Sequence, residues 1–220
     1  MTLLHYLQNL MMELDLTSLW STLLRLAAIL LCLTVHETCH GLAAYRMGDP
    51  TAKTMHRLSL NPLRHIDWFG LAMMFFVGFG WAKPVPVDPR YFRRPKQGMA
   101  VTAMAGPVSN FLLAVLLLLG SKAIYLYAPY SAGMEIFFNF LVDTSILSVG
   151  LGFFNLLPIP PLDGSKVLAA LLPDRLYFQL MRVERYGMLL LLVLALTNVG
   201  GGLINRGIYG IWTGLYYLIY

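Results

Sequence analysis

Charge is scarce in this sequence. Asp, Glu, Lys and Arg make up 12% of its 220 residues, about half the share of a soluble globular domain, which excludes a soluble fold of ordinary composition. Cysteine is nearly absent. Cys32 and Cys39 are the only two, and their spacing along one helix separates them by about 10 Å, too far for a disulfide between them. Both read as small packing residues. Lys and Arg are missing from Met1 to Thr17 and no small-residue cleavage site ends that stretch, so a removable secretory signal is not expected. Internal repeats and low-complexity linkers are absent as well.

What is present is apolar. The chain is 58% hydrophobic with a mean hydropathy of +0.65, and several runs are long enough to cross a bilayer as helices. Met1 to Thr17 reads as an amphipathic external segment, with Leu3, Leu4, Leu7 and Leu10 at helical spacing. A first membrane helix is expected from Ser18 to Arg46, stopped by Gly48-Asp49-Pro50. A second is expected from Gly98 to Ala128. A third starts at Glu135 and breaks at Asn155-Leu156-Leu157-Pro158-Ile159-Pro160-Pro161-Leu162-Asp163-Gly164, because prolines cannot continue a helix. A short helix to Leu172 follows, then a basic stretch with Arg175, Arg182 and Arg185, and a fourth span over Tyr186 to Val199. Gly200-Gly201-Gly202 turns the chain, and Ile204 to Tyr220 is either a fifth span or an interfacial helix with Trp212 and tyrosines at headgroup level.

The net charge of +5 does not indicate a nucleic-acid partner, because the basic residues fall in loops between apolar runs. Lys53, Arg57, Arg64, Lys83, Arg90, Arg93, Arg94 and Lys96 mark the loop after the first helix as cytoplasmic and leave the N-terminus outside. Within that loop Trp68 to Trp81 is apolar, too short to span and punctuated by Gly70, Gly78 and Gly80, which predicts a hairpin dipping into the membrane. Trp68 to Val87 is also readable as an edge strand for an extended peptide. His56 and His65, beside arginines, read as solvated or interfacial, and the twelve methionines as core filler. The organisation is an external segment 1–17, a membrane core 18–172 and C-terminal membrane helices 173–220.

Polar groups inside an apolar run need a reason, and the first run contains His36-Glu37-Thr38-Cys39-His40. Four residues apart on a helix, His36 and His40 project from one face and can reach one metal ion, while Glu37 is rotated about 100° away and is better placed to handle a water. This is the HExxH arrangement of a zinc hydrolase. A catalytic zinc takes three protein ligands, so a third is needed. Glu13, Asp15, Asp49, Asp67, Asp88, Asp174 and Glu184 sit in loops or at helix ends, whereas Asp163 follows the proline break of an apolar run. The first and third helices both descend towards the cytoplasm, so Asp163 can meet His36 and His40. With His36 about 15 Å from the end of its helix, the site would lie below the membrane surface on the cytoplasmic side. Such a centre suits amide hydrolysis with Glu37 as general base. Asn155 or Asn110 is a candidate oxyanion donor, each also readable as a cap or an interhelical hydrogen bond.

With Gly106-Pro107-Val108-Ser109-Asn110, the Asn155 to Gly164 segment, Ser59-Leu60-Asn61-Pro62-Leu63-Arg64-His65-Ile66-Asp67 and Gly80-Trp81-Ala82-Lys83-Pro84-Val85-Pro86-Val87, the chain resembles the site-2 proteases, intramembrane zinc metalloproteases, in their small bacterial and archaeal branch. The resemblance covers roughly Val35 to Leu168. It implies one zinc on His36, His40 and Asp163, Glu37 as catalytic base, a core of three membrane helices, and a substrate that is a transmembrane segment of another protein, cut in regulated intramembrane proteolysis at a prokaryotic plasma membrane. Cys39 stands where the family often has glycine, Trp68-Phe69 replaces a commoner proline-containing turn, and no PDZ or CBS-type domain is expected. The fold class implied is an all-α multi-pass membrane protein with a three-helix catalytic core, additional membrane helices and a short membrane-dipping hairpin. The rival from another class is a zinc or proton transporter, which needs polar residues staged across the whole bilayer. A catalytically dead scaffold is disfavoured because base and ligands are all present.

Overall fold

The computed structural model describes residues 16–70, 72, 81–197 and 201–220. Residues 1–15 of the external segment expected over 1–17 and most of the hairpin expected over Trp68 to Trp81 lie outside the described residues, while Leu16 and Thr17 already belong to the first helix. Six helices organise the remainder: α1 (Leu16–Arg46), α2 (Pro95–Tyr127), α3 (Ala132–Asn155), α4 (Asp163–Leu171), α5 (Asp174–Thr197) and α6 (Gly201–Ile219), with a single helical turn at Thr51–Thr54 and 3₁₀ turns at Pro62–Arg64 and Pro89–Tyr91. No strand occurs among the described residues. Leu19–Arg46, Pro95–Tyr127 and Ala132–Asn155 are long and apolar enough to cross a membrane, and the protein is an all-α multi-pass membrane protein.

Local chemistry marks the helix ends. Gly48 takes a positive φ of 106°, a conformation that costs a glycine little, and turns the chain out of α1. Asp49, fully buried, then accepts from the Thr51 N–H at 2.9 Å, from the Thr51 hydroxyl, and from the Asp88 N–H at 2.8 Å. One carboxylate thus ties the exit of α1 to the approach to α2. Pro95 opens α2, where its missing N–H costs nothing. The Ser131 hydroxyl caps α3 by accepting from the Met134 N–H at 3.2 Å.

Small residues bring α1, α2 and α3 together. A Cβ on Gly152 of α3 would lie 3.1 Å from the Pro107 carbonyl oxygen of α2, and the Ser148 hydroxyl donates to the Asn110 carbonyl at 2.8 Å. Other hydroxyls in the spans donate to carbonyls within their own helix: Ser109 to Gly106, Ser121 to Leu118, Thr144 to Phe140 and Ser145 to Val142. Cys32 packs fully buried against the Thr144 carbonyl of α3, its thiol 3.8 Å away, as a packing reading requires.

The outer helices differ in part from expectation. Arg175, Arg182 and Arg185 are not in a loop. They occupy the first half of α5, a continuous 24-residue helix, and Gly187 on it approaches so closely that a Cβ would lie 2.6 Å from Pro160 and Pro161. Helix α6 lies lengthwise against the core and antiparallel to α3: Gly207 meets Phe153, the Trp212 indole donates to the Ser145 hydroxyl at 2.8 Å, and the Tyr220 and Ser121 hydroxyls are 2.8 Å apart. His65 is buried rather than solvated, at 3% exposure, because its Nε2–H donates to the Ser59 carbonyl at 2.7 Å while its own carbonyl accepts from the Lys83 N–H.

Candidate metal centre

Helix α1 is the platform. His36 and His40 lie one turn apart on its buried face, 4% and 8% exposed, with their rings edge to face at 4.5 Å between centroids. The third group arrives from the break after α3. There the chain turns through Pro158 to Leu162, and α4 starts with Asp163 in its first turn. Gly164 makes that possible: a Cβ on it would fall 2.1 Å from the Leu156 carbonyl oxygen, so only glycine lets α4 start directly on the end of α3. Asp163, 8% exposed, thereby reaches α1.

The atoms that meet are His36 Nε2, His40 Nε2 and Asp163 Oδ2. The two nitrogens are 2.9 Å apart, and each is 3.1 Å from the carboxylate oxygen. His40 Nδ1 donates to the Thr102 carbonyl of α2 at 2.6 Å, which leaves Nε2 a lone pair directed at the other two groups. Three lone-pair donors thus converge among buried side chains, an arrangement that repels itself without a cation. Tetrahedral zinc with bonds of about 2.0–2.1 Å holds its ligands about 3.3 Å apart, close to the triangle observed. The residues therefore fit a zinc ion, and the imidazole–carbonyl bond of His40 is the usual support of a metal-ligating histidine. Neither cysteine joins them in the one His/Cys/Asp/Glu cluster of metal-binding spacing among the described residues.

Glu37 is beside this triangle without belonging to it. Its Oε2 accepts from the Val85 N–H at 2.9 Å, and the carboxyl lines a cleft of about 370 Å³ together with His36, His40, Asp163, Asn155, Val85 and Thr102. That cleft adjoins a cavity of about 410 Å³ bounded by α1, α3 and α5, which shares His36, Glu37 and Asn155 and continues past Leu33 and Leu151 to Arg25. The two asparagines separate here. Asn155 lines both spaces, with Nδ2 donating to the Leu151 carbonyl at 3.0 Å. Asn110 is fully buried between α2 and α3, is not among the residues lining either space, and neither amide atom has a partner among the described residues.

Several residues of the centre have parts there that their sequence positions did not reveal, although Gly106 and Pro107 belong to a motif already noted. Gly106 of α2 backs the imidazoles, since a Cβ there would fall 2.4 Å from His40 Nε2 and 2.6 Å from His36 Cε1. Pro107, next to it, has no N–H to give to the Ala103 carbonyl one turn earlier, next to the Thr102 carbonyl that holds His40. Lys166 and Glu184 line the cleft 3.8 Å apart. The spacing of Lys166 to Asp163 on α4 was the available clue; Glu184 reads as a helix-end residue until α5 is folded over the site. Polar groups also lie away from this centre: Arg25, Asn139 and Asp143 line a further groove of about 680 Å³ between the N-terminal parts of α1 and α3.

Comparison with known proteins agrees with this chemistry. Residues 121–197, which carry Asn155 and Asp163, match peptidase family M50. Over 177 residues the chain is 38% identical to "Putative zinc metalloprotease YwhC" of Bacillus subtilis, an alignment covering 78% of this chain and 80% of that protein. It is 31% identical over 182 residues to "Putative zinc metalloprotease Rip2" of Mycolicibacterium smegmatis, covering 80% and 67%, and 30% identical over 185 residues to the protein of the same name in Mycobacterium tuberculosis, covering 80% and 68%. No solved structure matches the chain. Similarity of this extent to zinc metalloproteases, with the family match, shows that the chain belongs to peptidase family M50, the site-2 protease family, and is a membrane metalloendopeptidase.

Proposed function

We propose that the protein is an intramembrane zinc endopeptidase that hydrolyses peptide bonds within or near the transmembrane segments of membrane-tethered proteins, in the manner of regulated intramembrane proteolysis. The observation that carries this reading is the convergence of His36 Nε2, His40 Nε2 and Asp163 Oδ2 inside a bundle of apolar helices, with Glu37 alongside. His36, His40 and Asp163 would hold one zinc per chain. When bound, zinc lowers the pKa of a water and polarises a carbonyl.

The other steps belong to the chain. Glu37, with Oε2 held by the Val85 N–H, keeps its second oxygen for the proton of the attacking water and passes that proton to the leaving amine. Asn155, with one N–H on the Leu151 carbonyl, has its other N–H for the developing oxyanion; Asn110 is a packing residue in this scheme. The adjoining cavity between α1, α3 and α5 is the route by which an unwound apolar segment reaches Glu37 from the bilayer. Basic residues gather at the end of α1 nearest the histidines, which supports a site on the cytoplasmic side of a prokaryotic plasma membrane.

The test is zinc per chain in detergent-purified wild type, Glu37→Gln and Asp163→Ala. About one zinc is expected in the first two and a sharp reduction in the third. Hydrolysis of a quenched fluorescent peptide with one apolar span of about 20 residues is expected to be full in wild type and reduced to a small residual rate in Glu37→Gln and Asp163→Ala. Wild type that stays metal-free in zinc-replete buffer contradicts the reading.

A further inference from the structure

The segment Trp81 to Asp88 has no regular secondary structure and lines the cleft through Pro84, Val85 and Val87, and one peptide unit in it is bonded at both ends to a charged side chain. The carbonyl of Pro84 accepts from Arg57 Nη2 at 3.3 Å, and the N–H of Val85, the other end of the same peptide, donates to Glu37 Oε2 at 2.9 Å. The same Nη2 also caps the Lys83 carbonyl at 2.7 Å. Arg57 is buried, at 9% exposure, and its backbone N–H is fixed by the Ala52 carbonyl at 2.8 Å. Its charge therefore has little freedom to go elsewhere.

From this geometry we infer that Arg57 is a positioning residue for the general base. A cation at the oxygen end of a peptide draws electron density from it and strengthens the N–H at the other end, so guanidinium, peptide and carboxylate polarise one another in series. Two capped carbonyls in succession also set the planes of both peptides, and Pro84 removes the donor that would compete and fixes its own φ. The Val85 N–H is thus aimed at Glu37 and holds Oε2, while the other carboxylate oxygen has no hydrogen bond among the described residues. Helix α1 accommodates this strap at Gly41, where an added Cβ would fall 3.1 Å from Val85 Cγ1 and 3.3 Å from both Ala52 Cβ and Leu58 Cδ1.

This rests on the reading of Glu37 as base, and a double-mutant cycle separates the two. With the quenched single-span peptide as probe, Arg57→Ala is expected to lower kcat about 10–100-fold, the range for an outer-shell partner, with KM and zinc content unchanged. Arg57→Lys, which restores a charged donor, is expected to recover most of that loss. In a Glu37→Gln background, Arg57→Ala is expected to lower the residual rate no further, because residues acting as a unit are non-additive. Gly41→Ala provides a second route: it favours the helix yet pushes Val85, and a several-fold fall in kcat is expected. Unchanged kcat in Arg57→Ala or Gly41→Ala, additivity in the cycle, or equal failure of Arg57→Lys and Arg57→Ala overturns the inference. If Glu37→Gln turns over like wild type, it is the base assignment that fails.

Discussion

Replacing Gly106 by alanine adds one methyl group at the back of the metal centre. The new Cβ would stand 2.4 Å from His40 Nε2, 2.5 Å from His40 Cε1 and 2.6 Å from His36 Cε1, where ordinary contact begins at 3.4 Å. The imidazoles must retreat by about 1 Å, several times the ±0.2 Å within which metal–ligand distances are held. Neither ring can swing away freely. His40 is held by the Thr102 carbonyl and both face Asp163. Overpacking of a rigid site costs about 1–3 kcal/mol, which as lost metal affinity is about 5–150-fold. Alanine simultaneously favours the helix by about 1 kcal/mol over glycine, so the fold should persist. The assay is zinc affinity by titration against a fluorescent chelator, with helix content from circular dichroism. Gly120→Ala in the same helix is the control, since its Cβ would meet only Leu141 Cδ1 at 3.5 Å. A Gly106→Ala protein that binds zinc as tightly as the control refutes the argument.

Other substitutions probe the remaining parts. Asn155→Leu is expected to lower kcat about 10²–10³-fold, the cost of one oxyanion donor, with zinc content unchanged; wild-type kcat in the peptide assay excludes Asn155 from that role. Gly164→Ala puts a Cβ 2.1 Å from the Leu156 carbonyl oxygen, so α4 must shift and carry Asp163 away, and zinc per chain measured after desalting should fall well below that of wild type. Asp49→Ala leaves the Thr51 and Asp88 N–H groups without their carboxylate, a loss of about 3 kcal/mol readable as a fall in unfolding midpoint in denaturant. Outside the membrane, the bond from Arg90 holds the Asp88 carboxyl below its usual range, so the contact is present at neutral pH and lost only in acid, and Arg90→Ala should leave zinc content and turnover at pH 7 unaltered.

How much of this was legible in the sequence depends on where the information resides. His36, Glu37 and His40 share one helix, and helical spacing alone places two imidazoles on one face with the carboxyl beside it. Asp163 was legible because a carboxylate after Pro158, Pro160 and Pro161 in an apolar run has few other reasons to be there. The spans over α1, α2 and α3 follow from length and hydropathy. The Val85 N–H and the Thr102 carbonyl were not legible, since a backbone group has no residue identity to betray it. Gly106 stood out as part of a motif, but its part, leaving room for two imidazoles, shows only in the packing of α2 on α1. Burial of His65 depended on two carbonyl and N–H bonds across a loop, and the helical state of Arg175 to Arg185 on an apolar continuation that supports charged turns before it. Between Asn155 and Asn110, type and motif were equal, and only the packing of α2 on α3 distinguishes them.

The hydroxyls of the spans have a consequence for how the molecule comes to exist. Ser109, Ser121, Thr144 and Ser145 each donate to a carbonyl three or four residues back in their own helix, so these four hydroxyls are satisfied before any helix meets another, whereas Ser148 of α3 needs the Asn110 carbonyl of α2. His40 is different. Its Nδ1–H is satisfied only by Thr102 of α2, and its Nε2 faces Asp163 beyond the end of α3. Three segments must therefore find one another before the proposed centre is complete, so zinc held there would mark a chain whose helices have already packed.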